Sequence, residues 1–133
     1  MKLTFNHTIV WAYDKQKTAE WWEQIFDVTA EPFGPFLQIK CENGADLDIA
    51  DIDINGDMDS VVEQHYAFLI EDHAFDEILG RIRDRGIEIH AHPDGSGQGE
   101  YNTNDGGRGM YFSDPNGHNL EVITVPYGGW DQA

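Results

Sequence analysis

Residues 4–11, Thr-Phe-Asn-His-Thr-Ile-Val-Trp, are a β-branched and aromatic run that predicts a strand. Phe5, His7, Ile9 and Trp11 then share one face, and Asn6, Thr8 and Val10 the other. The period changes at residue 15. Trp22, Ile25 and Phe26 fall at i, i+3 and i+4, which predicts a helix over 15–26. Pro32, Gly34 and Pro35 then break the chain into short strands near 28–33, 36–41 and 45–50, the last two joined by the hairpin pair Asn43-Gly44. The same order returns. Residues 65–71 predict a strand, and Asp72 stands where an N-cap would open a helix carrying Phe75, Ile78, Leu79 and Ile82 on one face. Gly86 is placed to end that helix, and residues 87–92 predict a further strand. A polar loop over 93–107 follows. Strands near 108–113 and 118–125 flank the turn Asp114-Pro115-Asn116-Gly117.

The order β-α-β-β-β therefore occurs twice, an α+β pattern with His7 and His65 at matching positions. Module one covers about 4–51, a linker about 52–63, module two about 64–125, and a tail 126–133, all within one domain. Each module has one helix and one apolar sheet face, so neither is expected to be stable alone and the two must pack or pair. The 133 residues suit a single domain with a sizeable core, and 40% hydrophobic residues argue against disorder. Eight Lys plus Arg against 25 Asp plus Glu give a net charge of −17. That excludes nucleic-acid and anionic-membrane binding, which need clustered cations, and leaves a metal ion as a partner. With Cys41 the only cysteine, there is no intrachain disulfide and no thiolate zinc cluster. A basic-then-apolar leader and a long apolar run are both lacking, so a soluble cytoplasmic protein is expected.

Glu121 stands on the last strand of module two between Leu120 and Val122, where a carboxylate is costly to bury unless it is paired or ligates a cation. Asp48 occupies the corresponding strand of module one. Two histidines with one or two carboxylates, converging from separate strands, suit a divalent-metal site with open positions for substrate.

The order His7, Asp48, His65, Glu121 on two such modules resembles the vicinal oxygen chelate superfamily. That group includes glyoxalase I, extradiol dioxygenases, fosfomycin-resistance enzymes and bleomycin-resistance proteins. The likeness spans about 5–125 and is most specific at Gly109-Met110-Tyr111-Phe112-Ser113-Asp114-Pro115-Asn116-Gly117-His118-Asn119-Leu120-Glu121. Trp21-Trp22-Glu23-Gln24-Ile25-Phe26 is similar to the family's first-helix motif, with Trp22 where tyrosine is commoner. The resemblance implies a glyoxalase-like fold, a curved mixed-sheet cleft holding one divalent ion (Fe, Mn, Ni, Co or Zn), a small-molecule substrate and a homodimer. His7, His65 and Glu121 become the metal triad. A glutamate at the place of Asp48 completes four ligands in glyoxalase I-like enzymes; the shorter aspartate either ligates or holds a water beside the ion.

The first reading this implies is a lyase or isomerase in which Glu121 or Asp48 also moves a proton. The second is a ring-cleaving dioxygenase, with Tyr111 in the place of an assisting tyrosine, although the histidine those enzymes carry just upstream is absent from Tyr101-Asn102-Thr103-Asn104. The third is a metal-free binding protein of the bleomycin-resistance kind, suited by Trp11, Trp21, Trp22 and the acidic surface.

Other features carry less. The acidic run Asp51-Ile52-Asp53-Ile54-Asn55-Gly56-Asp57-Met58-Asp59 has calcium-loop spacing but Val62 at the twelfth position, and reads as a solvated loop. His90 and His92 share a strand face, as a strand end, a metal pair or an acid/base lining the cleft. His118 faces away from Glu121, and His73 opens a helix in solvent. The glycine-rich loop 94–107 reads as a lid or a mobile segment, and Arg108 as a neutraliser of nearby carboxylates or an anion holder. Cys41 lacks basic neighbours and no Gly-x-Ser-x-Gly occurs, so no nucleophile emerges.

Overall fold

The computed structural model describes residues 1–54, 56 and 58–131. Asn55 and Asp57 of the acidic loop lie outside the described residues. The chain forms two compact units, Met1–Val62 and a second beginning at Glu63.

The first unit runs β1 (His7–Ala12), α1 (Lys15–Phe26), β2 (Glu31–Phe33), β3 (Phe36–Lys40) and β4 (Asp46–Asp51), in the sheet order β1-β4-β3-β2. β1 runs parallel to β4, as a crossover through α1 requires, and the other pairs are antiparallel. The β3–β4 hairpin closes at Asn43-Gly44, where Gly44 adopts φ 89° and its N–H donates to the Cys41 carbonyl at 3.1 Å. Asp14 caps α1 by accepting from Lys17 N, and Asp51 accepts from Lys15 N at 2.8 Å, tying the helix entry to β4. Thr18, Ala19, Trp22 and Ile25 form the buried stripe of α1. Val10, Ala12, Leu37 and Ile49 share one buried sheet face. Each large side chain buried there stabilises the fold by about 1.5–3 kcal/mol. β1 begins at His7 rather than Thr4 because its partner β4 begins at Asp46, opposite His7; Leu3 and Phe5 are left exposed.

The second unit runs β5 (His65–Leu69), α2 (Asp72–Asp84), β6 (Gly109–Ser113) and β7 (Asn119–Ile123), in the order β5-β7-β6. Its core combines Phe75, Ile78, Leu79 and Ile82 with Met110, Phe112, Leu120 and Val122, all buried. Two expectations are corrected. Glu71, not Asp72, is the N-cap of α2 and makes no side-chain cap; the Asp72 carboxylate instead accepts from Arg108. The strand expected over 87–92 is reduced to bridges from His90 to Tyr111 and Gln98. Its start is used to end the helix, Gly86 N donating to Arg83 O and Ile87 N to Ile82 O, and its end turns back at once through Ala91 N to Gly97 O.

The loop expected as a lid or a mobile segment is tied back to its own unit by hydrogen bonds. Asn102 exchanges two backbone hydrogen bonds with Gly109 and donates from its side chain to Ala91 O at 2.7 Å. Arg108 stacks on Phe75 and Tyr101 while holding Asp72 and Asp76, contacts that staple loop to helix. No helix among the described residues is long and apolar enough to cross a membrane.

Candidate functional site

The turn between β6 and β7 sets the site. Asp114 Oδ1 accepts from Asn116 N and His118 N, both at 2.9 Å, and Gly117, at φ 87°, donates to the Asp114 carbonyl. The Asp-Pro-Asn-Gly motif is thus a register device, and the register it fixes pairs Tyr111 with Glu121. Glu121 pairs in turn with Ala67 of β5, and Tyr111 with His90. Register partners share a face, and His65 lies two residues before Ala67, so His65, Glu121, Tyr111 and His90 occupy one face of the unit. Leu120, Val122, Met110 and Phe112 take the opposite, apolar face.

Glu121 is 1% exposed, whereas the His65 side chain is half-exposed. His65 Nδ1 lies 2.9 Å from the Asn119 carbonyl oxygen, which can only accept, so Nδ1 carries hydrogen. In the neutral ring Nε2 then presents a lone pair, and it faces Glu121 Oε1 at 3.1 Å. Two acceptors at that distance call for a cation between them, either a proton on the ring or a metal ion. Two donors bound at right angles to one divalent ion, each at about 2.1 Å, lie about 3 Å apart. The pair therefore fits adjacent positions on such an ion.

The tail supplies a residue the sequence reading missed. Tyr127 Oη lies 2.6 Å from Glu121 Oε2 and 2.8 Å from Oε1. It is also 3.4 Å from Tyr111 Oη. Tyr127 follows the last strand, past the end of any periodic pattern, and no signal in the sequence singles it out. Tyr111 is buried, with its ring stacked between His90, at 5.5 Å, and His65, at 6.1 Å. Burial pushes the Tyr111 phenol well up, helped by Tyr127 and Glu121; the hydrogen bond to Glu121 raises Tyr127. Both phenols therefore remain O–H donors at neutral pH.

The first unit presents the matching positions. Ile9, Asp48 and Gln38 are register partners, and His7 lies two residues before Ile9 on the same face. Asp48 is 4% exposed and accepts from Gln38 Nε2 at 2.9 Å. His7 is exposed, with Nδ1 2.6 Å from Asn6 Oδ1. Among the described residues, no group of three or more His, Cys, Asp or Glu side chains stands together as a metal-ligand set. The structure thus brings His65, Glu121 and Tyr111 together in one unit and places His7 and Asp48 on the equivalent face of the other. His118 is fully buried, accepts from Gln64 N and packs edge-on against Tyr66. Burial pushes the Cys41 thiol up, with Asp46 adding, which suits its unreactive reading.

The two sheets, each with its helix, define a glyoxalase-like α+β fold. No protein-family model matches the chain, and no curated protein does. Among solved structures, the protein named Oxidase ChaP-H2 is 45% identical, with 97% of this chain and 98% of that chain covered and a TM-score of 0.89. Oxidase ChaP-H1 is 47% identical over 96% and 100% of the two chains, with a TM-score of 0.88. The fosfomycin resistance protein FosX from Listeria monocytogenes shares the fold at 22% identity, covering 95% and 94%, with a TM-score of 0.70. The chain belongs to one family with Oxidase ChaP-H1 and Oxidase ChaP-H2, and it shares its fold with the fosfomycin resistance protein.

Proposed function

We propose that the chain is a metal-dependent enzyme that oxidises a small substrate through two adjacent oxygens, with dioxygen as co-substrate. The observation that carries this reading is the likeness, over nearly the whole chain, to two proteins named oxidases. His65 and Glu121 form the part of the metal site that the second unit contributes, and His7 completes it, from the same chain or from the partner in a homodimer. With Asp48 engaged by Gln38, the remaining donors are two histidines and one carboxylate, the set suited to iron with open positions. The ion, iron or manganese in this reading, supplies redox chemistry with dioxygen and stabilises negative charge on the substrate oxygens.

The chain's own groups do the rest. Asn119 O fixes the His65 ring with Nε2 facing Glu121, so that the two would hold the ion together and Glu121 would offset part of its charge. Tyr111, a protonated phenol clamped between two imidazoles, donates a hydrogen bond to one substrate oxygen. His90 holds the Tyr111 ring from its other face.

The first test is metal content of tag-free protein purified without chelator, followed by oxygen uptake over a panel of catechols and related polyhydroxylated aromatics. About one iron or manganese per chain and uptake lost in Glu121→Ala support the proposal. Zinc, nickel or cobalt with an inert oxygen electrode, and turnover of 2-oxoaldehyde–thiol adducts, would replace it with the lyase reading, which the buried carboxylate of Asp48 favours. Metal-free protein that takes up no ion would leave a ligand-binding protein. Mixing the His7→Ala and Glu121→Ala chains tests the homodimer: activity returns if each site draws on two chains.

A further inference from the structure

We propose that Tyr127 is the positioning residue that fixes how Glu121 meets the metal, its phenol occupying Oε2 so that Oε1 alone is offered to the ion. The inference rests on the reading of His65 and Glu121 as ligands. The two carboxylate oxygens are not equivalent. Oε1 faces His65 Nε2 at 3.1 Å, and Oε2 is the oxygen closest to Tyr127 Oη, at 2.6 Å against 2.8 Å for Oε1. A phenol has one hydrogen to give, and the shorter contact assigns it to Oε2. The cation-seeking side of the carboxylate is therefore Oε1, and its other oxygen is already satisfied.

Burial makes this matter. Glu121 is shielded from solvent, so when the Tyr127 hydroxyl is lost its carboxylate keeps only Tyr111 as a phenol donor. The carboxylate then turns both oxygens toward the ion or gives up its orientation, and either outcome alters a coordination position that a two-oxygen substrate needs. The tail is shaped to deliver the phenol. Gly129 N donates to Pro126 O at 2.9 Å, with Gly128 and Gly129 at φ 82° and 92°, a turn that holds Tyr127 over the end of β7 although its ring is largely exposed.

The experiment is titration of the metal-stripped full-length chain with cobalt(II) chloride, reading both affinity and the visible d–d spectrum. Tyr127→Phe, which keeps the ring and removes only the hydroxyl, is expected to bind cobalt about tenfold more weakly, with a changed band intensity that reports altered coordination. Trp130→Ala, in the same tail and exposed, is expected to match wild type. Wild-type affinity and spectrum in Tyr127→Phe, alongside lost binding in Glu121→Gln, overturn the role of Tyr127 and leave the ligand reading standing. Unchanged binding in Glu121→Gln overturns the ligand reading and this inference with it. Equal weakening by Trp130→Ala and Tyr127→Phe assigns the effect to the tail as a whole and overturns the role of the hydroxyl.

Discussion

The two units repeat one another along three strands of their sheets and still differ in the partners of the matching side chains. In the first, the line Ile9, Asp48, Gln38 crosses from β1 to β4 to β3; in the second, Ala67, Glu121, Tyr111 crosses from β5 to β7 to β6. A histidine sits two residues before the start of each line. Asp48 spends a carboxylate oxygen on a neighbouring amide, whereas Glu121, longer by one methylene, meets the imidazole of His65 and a phenol from the tail. The backbone repeat supplies equivalent positions. Side-chain length and the identity of the cross-strand neighbour thus give the two copies of the position different partners, and the proposed function assigns the reactive role to Glu121.

The sharpest way to break this comparison is to remove each carboxylate. Glu121→Ala is expected to abolish metal binding and lower turnover by at least about a thousandfold. Asp48→Asn, which can still accept from Gln38, is expected to keep metal content and stay within about fivefold of wild-type turnover. Metal analysis and steady-state rates on both variants check this. Equal loss in both would make the units chemically equivalent and point to a four-ligand lyase site.

The register partners come next. Tyr111→Phe is expected to leave metal content intact and lower kcat by about a hundredfold, since it removes one positioned donor. Gln38→Leu, at the matching place, is expected to act on stability, because it leaves a buried carboxylate without its amide donor; urea unfolding should show a loss of about 1–3 kcal/mol. A kinetic effect of Gln38→Leu larger than that of Tyr111→Phe would reverse the assignment of roles.

The contrast also explains what could be read from the sequence. Periodicity located the helix at 15–26, the Asn43-Gly44 hairpin and the two-module order, because amphipathic spacing and turn chemistry are local. The strand over 87–92 was misjudged because its apolar alternation is real while its backbone groups are claimed by the end of α2 and by a tight return at Gly97. His65 and Glu121 stand out in the sequence as a strand histidine repeated in both modules and a carboxylate set between apolar strand residues, whereas Tyr111 stands out only through the resemblance to extradiol dioxygenases. Tyr127 does not stand out, since it reaches Glu121 through a glycine turn that carries no periodic signal.

The smallest expected effect concerns how each helix begins. α1 is held by a side-chain cap from Asp14, while α2 has none and relies on Arg108, which grips Asp72 and Asp76 and lies on Phe75 and Tyr101. Asp14→Ala and Arg108→Ala are each expected to cost about 1 kcal/mol, the first through a lost cap and the second chiefly through lost stacking. Salt and acid separate them. Arg108 holds the Asp76 carboxyl below its ordinary value, so that contribution is present above the unfolded pKa of 3.8 and is lost as pH falls through the lowered folded value. The Arg108→Ala deficit should therefore narrow both in acid below pH 3.8 and in molar salt, which screens exposed pairs. The deficit of Asp14→Ala should hold in molar salt, because a cap hydrogen bond at contact distance is screened far less. Chemical denaturation of both variants at two salt concentrations is the check, and deficits that respond alike would mean the two helix entries are held by the same physics after all.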